Sequence, residues 1–417
     1  MRVLHLVTVG SLCLLTACGG GGGSNTPTSP PTPQPPQTAE GRFIDTVVEG
    51  LGYSSGNQIG VTSDSGSFTY EVGENVTFSV GAVEIGAANG DSIISPVDLT
   101  GSNTSMADVQ NIVRFLLMLD SDGDSANGIS ISSEVQSMAE NWSPVDFTSP
   151  NLDGELAQII SDVSAADNRT PILPSSQDAQ DHLEGTLACL SSGIFSGTFS
   201  GQDNGTFLLW VQHQRFDPLT FGDNTPRVGV TSALVFSTDE NEVLGVAPQQ
   251  GLSFDSDKQF ITGLVSNGAE FVGDLESYQN VTNGSWQNGL TNESGIFNGE
   301  RIAGMSNAVH RLSGFFNLQG VAFNPDGSGV IALDILADNS VTGAMATLRG
   351  DETALAGTLA GSAISVSGGN NSFTLTFDPD GTDSSNDAAL GTTSGFVGTW
   401  NGTSGLGDVI GTSCQPD

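Results

Sequence analysis

Hydrophobic residues along this chain recur with two different periods. From residue 41 to about 98 they alternate with polar residues, in runs at Thr46–Tyr53, Ser67–Tyr70, Asn75–Val80 and Ala82–Ile85, with Gly, Asp or Asn in the gaps. A period of two bounded by turn residues predicts short antiparallel strands. The period changes between 104 and about 189. Val109, Ile112, Val113, Leu116 and Leu117 fall at i, i+3, i+4, i+7 and i+8, and Ser105-x-x-Asp108 has the form of a capping box, so a helix is predicted there. Leu156, Ile159, Ile160 and Val163 predict a second helix, opened by Asp153. Leu183 and Leu187 predict a third over about Ser176–Leu187, with Pro171 and Pro174 between the two. From Ser191 onward alternation returns in a Gly-rich background, for example at Thr206–Val211, Ala233–Phe236, Val330–Leu333, Ala363–Val366 and Phe373–Phe377.

Parts of this last region echo one another. Ser192-Gly-Ile-Phe195-Ser-Gly197 resembles Ser294-Gly-Ile-Phe297-Asn-Gly299 and Ser313-Gly-Phe-Phe316-Asn317, and Gly284-Ser-Trp286 resembles Gly398-Thr-Trp400. The expected fold class is mainly β with a small helical insert. A β-sandwich-like module covers 41–103 and a helical region 104–189. A C-terminal antiparallel barrel or sandwich follows, either a single larger one or two copies at 190–307 and 308–417.

The N-terminus sets the location. Val3 to Leu15 is apolar but too short to span a bilayer, and it ends in Leu15-Thr16-Ala17-Cys18. This resembles the lipobox of bacterial lipoproteins. The resemblance implies that residues 1–17 are a signal peptide, that Cys18 carries lipid through its thiol, and that Gly19 favours the outer membrane. Residues 18–40 are then an anchor and a Gly/Pro-rich tether, partly polyproline II, reaching about 3 Å per residue. The expected address is an outer-membrane lipoprotein, on the cell surface or the periplasmic face. A second resemblance lies in Val48-x-Gly50-Leu51-x-Tyr53 and Gly60-x-Thr62-x-x-x-Gly66-x-Phe68-x-Tyr70, which is similar to the carboxypeptidase regulatory-like, or prealbumin-like, β-sandwich. That family implies a structural and binding module with no catalytic residues. The late Gly/Phe pattern resembles the β-barrels of surface lipoproteins in architecture only.

Charge narrows the partners. With 47 Asp and Glu against 10 Lys and Arg the net charge is −37, and Lys258 is the single lysine. No basic surface exists to neutralise phosphates, so nucleic-acid binding is excluded as a function class. The acidity suits a salty habitat or divalent cations. Cys13 leaves with the signal peptide and Cys18 takes the lipid, which leaves Cys189 and Cys414. An envelope compartment permits a disulfide between them, bracketing the C-terminal half.

The best chemical candidate is Asp120-Ser-Asp122-Gly-Asp124-Ser-Ala-Asn127-Gly128. Alternating carboxylates in a Gly-containing loop supply hard oxygen ligands, as calcium needs. The loop follows the first predicted helix and resembles the entry to an EF-hand. It departs from that pattern at Gly123, one position after the second Asp, and at Ile131, where the twelfth position lacks a Glu. A looser calcium loop through Asp120, Asp122, Asp124 and Asn127 and a solvated acidic turn both remain open. Asp378-Pro-Asp380-Gly381-Thr-Asp383 and Asn324-Pro-Asp326-Gly327 read as hairpin turns. No Gly-x-Ser-x-Gly elbow is present, and His182, His213 and His310 read as structural. Trp286 and Trp400 read as core residues before sugar platforms. The expected function is non-enzymatic ligand binding or adhesion at the envelope, calcium-stabilised if the loop holds an ion. The partners are the membrane through the lipid and a glycan or protein ligand. A periplasmic assembly role is the alternative, and an envelope hydrolase is a third reading.

Overall fold

A computed structural model describes residues 36–99, 105–213, 227–244, 250–253, 258–263, 268–303, 308–379 and 395–416. The chain opens with eight short strands: β1 (Thr38–Phe43), β2 (Val48–Glu49), β3 (Gly52–Ser55), β4 (Gln58–Val61), β5 (Ser67–Glu71), β6 (Asn75–Val80), β7 (Val83–Asn89) and β8 (Ile93–Ile94). All but β2 form a three-stranded sheet in the order β5-β1-β8 and a four-stranded sheet in the order β4-β3-β6-β7. Phe43 and Phe68 of the first sheet pack on Phe78 of the second, with ring centroids 4.8 and 5.1 Å apart. The run Thr46–Tyr53, expected as one strand, is broken into β2 and β3. Gly50 between them takes φ +81°, and a Cβ there would strike the Ile131 carbonyl.

Four helices follow. α1 (Met106–Leu119) starts at the expected Ser105–Asp108 pair, where the Ser105 N–H donates to Asp108 Oδ2 at 3.2 Å. α2 (Ser133–Ala139) was not legible as a helix, because it buries only Val135 and Ala139 and is too short to show a period. β9 (Ile129–Ser130), before α2, pairs parallel to β2. α3 is Leu152–Asp167, and α4 (Ser176–Ser191) runs past Leu187 to carry Cys189. α1 to α3 share a core with the N-terminal sheets through Phe115, Leu116 and Leu156.

The rest of the chain forms two meanders. The first comprises β10 (Gly193–Gly201), β11 (Gly205–Gln212), β12 (Arg227–Ser237), β13 (Glu242–Leu244), β14 (Gln250–Ser253), β15 (Gln259–Gly263), β16 (Ala269–Glu276), β17 (Asn280–Asn288) and β18 (Ser294–Arg301). Its nine strands curl until β11 meets β12. The second is a closed barrel of β19 (His310–Leu318), β20 (Ser328–Ile335), β21 (Ser340–Thr347), β22 (Glu352–Ala360), β23 (Ala363–Gly368), β24 (Asn371–Asp378), β25 (Gly395–Gly402) and β26 (Gly405–Cys414). In each, the first strand also pairs with the last. Closure of the barrel removes its exposed edges.

The pairing registers of the two meanders match. Trp286 on β17 lies between Phe271 on β16 and Gly295 on β18. Trp400 on β25 lies between Phe373 on β24 and Gly407 on β26. A Cβ on either glycine would strike the indole, so each glycine makes room for the ring beside it. Gly197 pairs with Gly299 as Gly314 pairs with Gly411. Phe199 therefore corresponds to Phe316. The Trp286–Trp400 echo is a true equivalence, whereas the Ser192–Gly197 and Ser294–Gly299 echo joins neighbouring strands of one sheet. Between the meanders, Ile194, Leu208, Trp210, Val330 and Leu348 form a separate apolar seam. The Trp210 indole N–H donates to Ser313 Oγ across it at 3.0 Å.

Candidate functional site

Of the residues singled out in the sequence, Cys18 lies outside the described residues. Cys189 and Cys414 lie at disulfide distance, S–S 1.97 Å, joining the end of α4 to the end of β26. Asp380, Asp383 and their neighbours in the second Asp-rich turn also lie outside the described residues. Asp326 of the third turn pairs with Arg349. Trp286 and Trp400 are buried, 5% and 1% exposed, which removes them as stacking platforms.

The Asp120–Gly128 loop leaves α1 and returns to β9. Asp120 caps the helix end and is 1% exposed. Its Oδ1 accepts the Ser130 backbone N–H at 3.1 Å. Burial, with the Asp122 carboxylate beside it, raises its pKa. Asp122 is exposed and shifts the other way, because Oδ2 accepts from Asn127 Nδ2 at 2.9 Å and Oδ1 from the Asp124 N–H at 2.9 Å. The structure thus brings Asp120, Asp122 and Asn127 together, while Asp124 contributes its backbone. Among the described residues, no group of three or more His, Cys, Asp or Glu side chains converges as a metal site.

Two cavities were not legible in the sequence. The first, about 440 Å³, is lined by His182, His213 and His310, three of the chain's four histidines, together with Asp181 and Cys414. Nε2 of His182 lies 3.4 Å from Oδ1 of the fully buried Asp45. Burial lowers the pKa of this imidazole, but the Asp45 carboxylate outweighs it and the net shift is upward. His213 is shifted downward by burial, against a 3.1 Å contact from Nδ1 to the Ser413 carbonyl. The His310 ring sits edge-on to Phe377 at 5.0 Å.

The second cavity is a cleft of about 540 Å³ where the β7–β8 segment meets the β16–β17 hairpin. Asn89, Asp91, Asp98, Asp274, Glu276, Thr282 and Asn283 line it around Lys258. Lys258 Nζ lies 2.6 Å from Asp98 Oδ1 and 5.0 Å from the centre of the Tyr278 ring. Burial pulls the ammonium's pKa down, but Tyr278, Asp98 and Asp91 hold it above its ordinary value. Burial pushes Tyr278 up to about 12. Ser277 Oγ donates to the Asp91 carboxylate at 2.6 to 2.7 Å. Lys258, Ser277 and Tyr278 have φ of 48°, 49° and 56°. Left-handed backbone in bulky residues costs on the order of 1–3 kcal/mol each and gathers at functional sites. The hairpin turn uses Ser-Tyr where Asn-Gly is preferred, and it places Tyr278 in the core beneath the cleft. The chain's single lysine was the available signal, but only the fold shows what surrounds it.

No protein-family model matches the chain, and no curated protein matches it. Two solved structures are similar. A crystal structure ascribed to AttH from Nitrosomonas europaea is 10% identical with a TM-score of 0.18, over 52% of this chain and 91% of that one. A DUF3598-family protein of unknown function from Nostoc punctiforme is 9% identical with a TM-score of 0.15, over 55% and 98%. Likenesses at this level carry no argument about function, and no enzyme family is indicated.

Proposed function

We propose that this protein is an envelope-anchored lipoprotein that binds a polar ligand, of glycan chemistry, in the cleft around Lys258. The observation that carries this reading is the gathering of carboxylates, amides and hydroxyls at a module junction, on backbone held in strained conformations. Ligand sites favour such junctions and a few convergent polar groups. Carboxylate and amide side chains match the hydroxyls of a sugar in hydrogen-bonding capacity. A lysine held protonated by Asp98 is a poor nucleophile, which favours binding over covalent catalysis. The lipobox-like Leu15–Cys18 and the tether after it support display from a membrane.

Protease shaving of intact cells tests the location. Cleavage of the body while a periplasmic control survives is expected for a surface binder. Protection until the outer membrane is permeabilised would remove the external-glycan reading and leave a periplasmic assembly role with a protein partner.

A further inference from the structure

We infer that the Asp120–Gly128 loop is a calcium site, with Asp120 and Asp122 as its charged ligands. Acidic loops are common on a chain of this charge, so the loop alone decides nothing. The deciding feature is Asp120 Oδ2. This oxygen is buried without a hydrogen-bond partner, and the Asp122 carboxylate is a close neighbour of the Asp120 side chain. A buried carboxylate oxygen without a donor is costly, and facing a second carboxylate makes it more so. The positive charge felt at both, Arg169, directs its guanidinium to Asp167 and to the Met118 carbonyl instead. A hard cation between the two carboxylates would satisfy Oδ2 and cancel the repulsion.

The surroundings are suited to such an ion. Gly123 and Gly128 have φ of 76° and 102°, so the loop curls on itself. Ser121 N–H and Ser130 carbonyl close it at 2.9 Å. Asn127 stands beside Asp122. Calcium accepts six to eight oxygens at roughly 2.3–2.6 Å, including amide, carbonyl and water oxygens. Two carboxylates therefore suffice for charge while the loop and solvent complete the shell. The ion would fix the exit of α1 against β9, which is paired to β2 of the N-terminal module.

The test is calcium titration by calorimetry of the purified full-length protein, stripped with chelator, alongside thermal melts. We expect about one ion per chain, filling by about 1 mM as in extracellular calcium modules, and a raised melting temperature. Asp122→Asn, at an exposed position, should weaken binding about tenfold or more. Asp120→Asn keeps the acceptor for Ser130 and removes the buried charge. It should raise the melting temperature in chelator and abolish the further rise with calcium, a pair of effects that a merely structural aspartate would not give. No heat and an unchanged melt at about 1 mM calcium with folded protein would overturn the inference. So would calcium binding of unchanged strength in both variants.

Discussion

The two meanders share a register yet differ in what fills and closes them. In the barrel β19–β26 the interior is occupied by its own side chains, among them Phe316, Met345, Phe373, Phe396 and Trp400. The curled sheet β10–β18 shares its core with other elements. Phe207, Phe271 and Trp286 belong to the same apolar cluster as Leu183 and Leu187 of α4, Val109 and Val113 of α1, and Ile44 and Ile93 of the N-terminal module. One unit is sealed by closure, and the other is sealed by neighbours. The polar cleft around Lys258 lies where the second kind of seal is made, because a junction between modules brings loops and turns together where strands alone would present a packed wall.

This contrast can be attacked at the disulfide first. It closes 225 residues of sequence and joins α4 to the far end of the closed barrel. The chain-entropy argument assigns such a loop roughly 5 kcal/mol. Reduction, or Cys189→Ala with Cys414→Ala, should lower stability to urea by up to that amount. A loss below about 1 kcal/mol would mean that the apolar seam alone holds the two meanders together. Truncating the equivalent tryptophans comes next. Trp286→Ala and Trp400→Ala should each cost about 3–5 kcal/mol. If the seals differ as described, amide exchange in Trp286→Ala should spread into α1 and α4, while in Trp400→Ala it should stay within β19–β26. Exchange spreading equally from both would erase the distinction.

The Lys258–Asp98 pair bridges the curled sheet and the N-terminal module, with side chains 12% and 15% exposed. Lys258→Met leaves Asp98 largely buried without its cation and should cost about 3 kcal/mol. Adding Asp98→Leu should recover part of that loss, which a urea midpoint comparison would show. The smallest effect is on pH dependence. His213 has a lowered folded pKa, so its contribution to stability is complete above the ordinary histidine value and is lost as pH falls through the folded one. His182 has a raised pKa, so its contribution is complete below the ordinary value and is lost as pH rises through the folded one. In melts between about pH 5 and 8, His213→Gln should flatten the acid side and His182→Gln the alkaline side. The reverse pattern would exchange the roles assigned to the two rings.

Periodicity made α1, α3 and α4 legible, because each buries a continuous apolar stripe such as Val109-Ile112-Val113-Leu116. The mainly β class and the Trp286–Trp400 equivalence were also readable, since cross-strand packing fixes which residue faces the core. The strand break at Gly50 was not, because it depends on the Ile131 carbonyl, distant in sequence. The echo starting at Ser192 misled because Gly-x-Phe recurs on adjacent strands, where glycine lets backbones approach. The histidine cavity and the Lys258 cleft were invisible for a related reason. Lys258 and Asp98 are 160 residues apart, and His213 meets Ser413 across 200. No local pattern encodes such meetings.

The most direct test of the account is binding of a panel of neutral oligosaccharides to the purified full-length protein and to a cleft variant carrying Asp274→Asn and Glu276→Gln. Both positions line the cleft and neither lies in the apolar core. At least one oligosaccharide is expected to bind the native chain, and the variant should lose this binding while its melting temperature is unchanged. Binding that survives the substitutions, or no binding across the panel by folded protein, would contradict it.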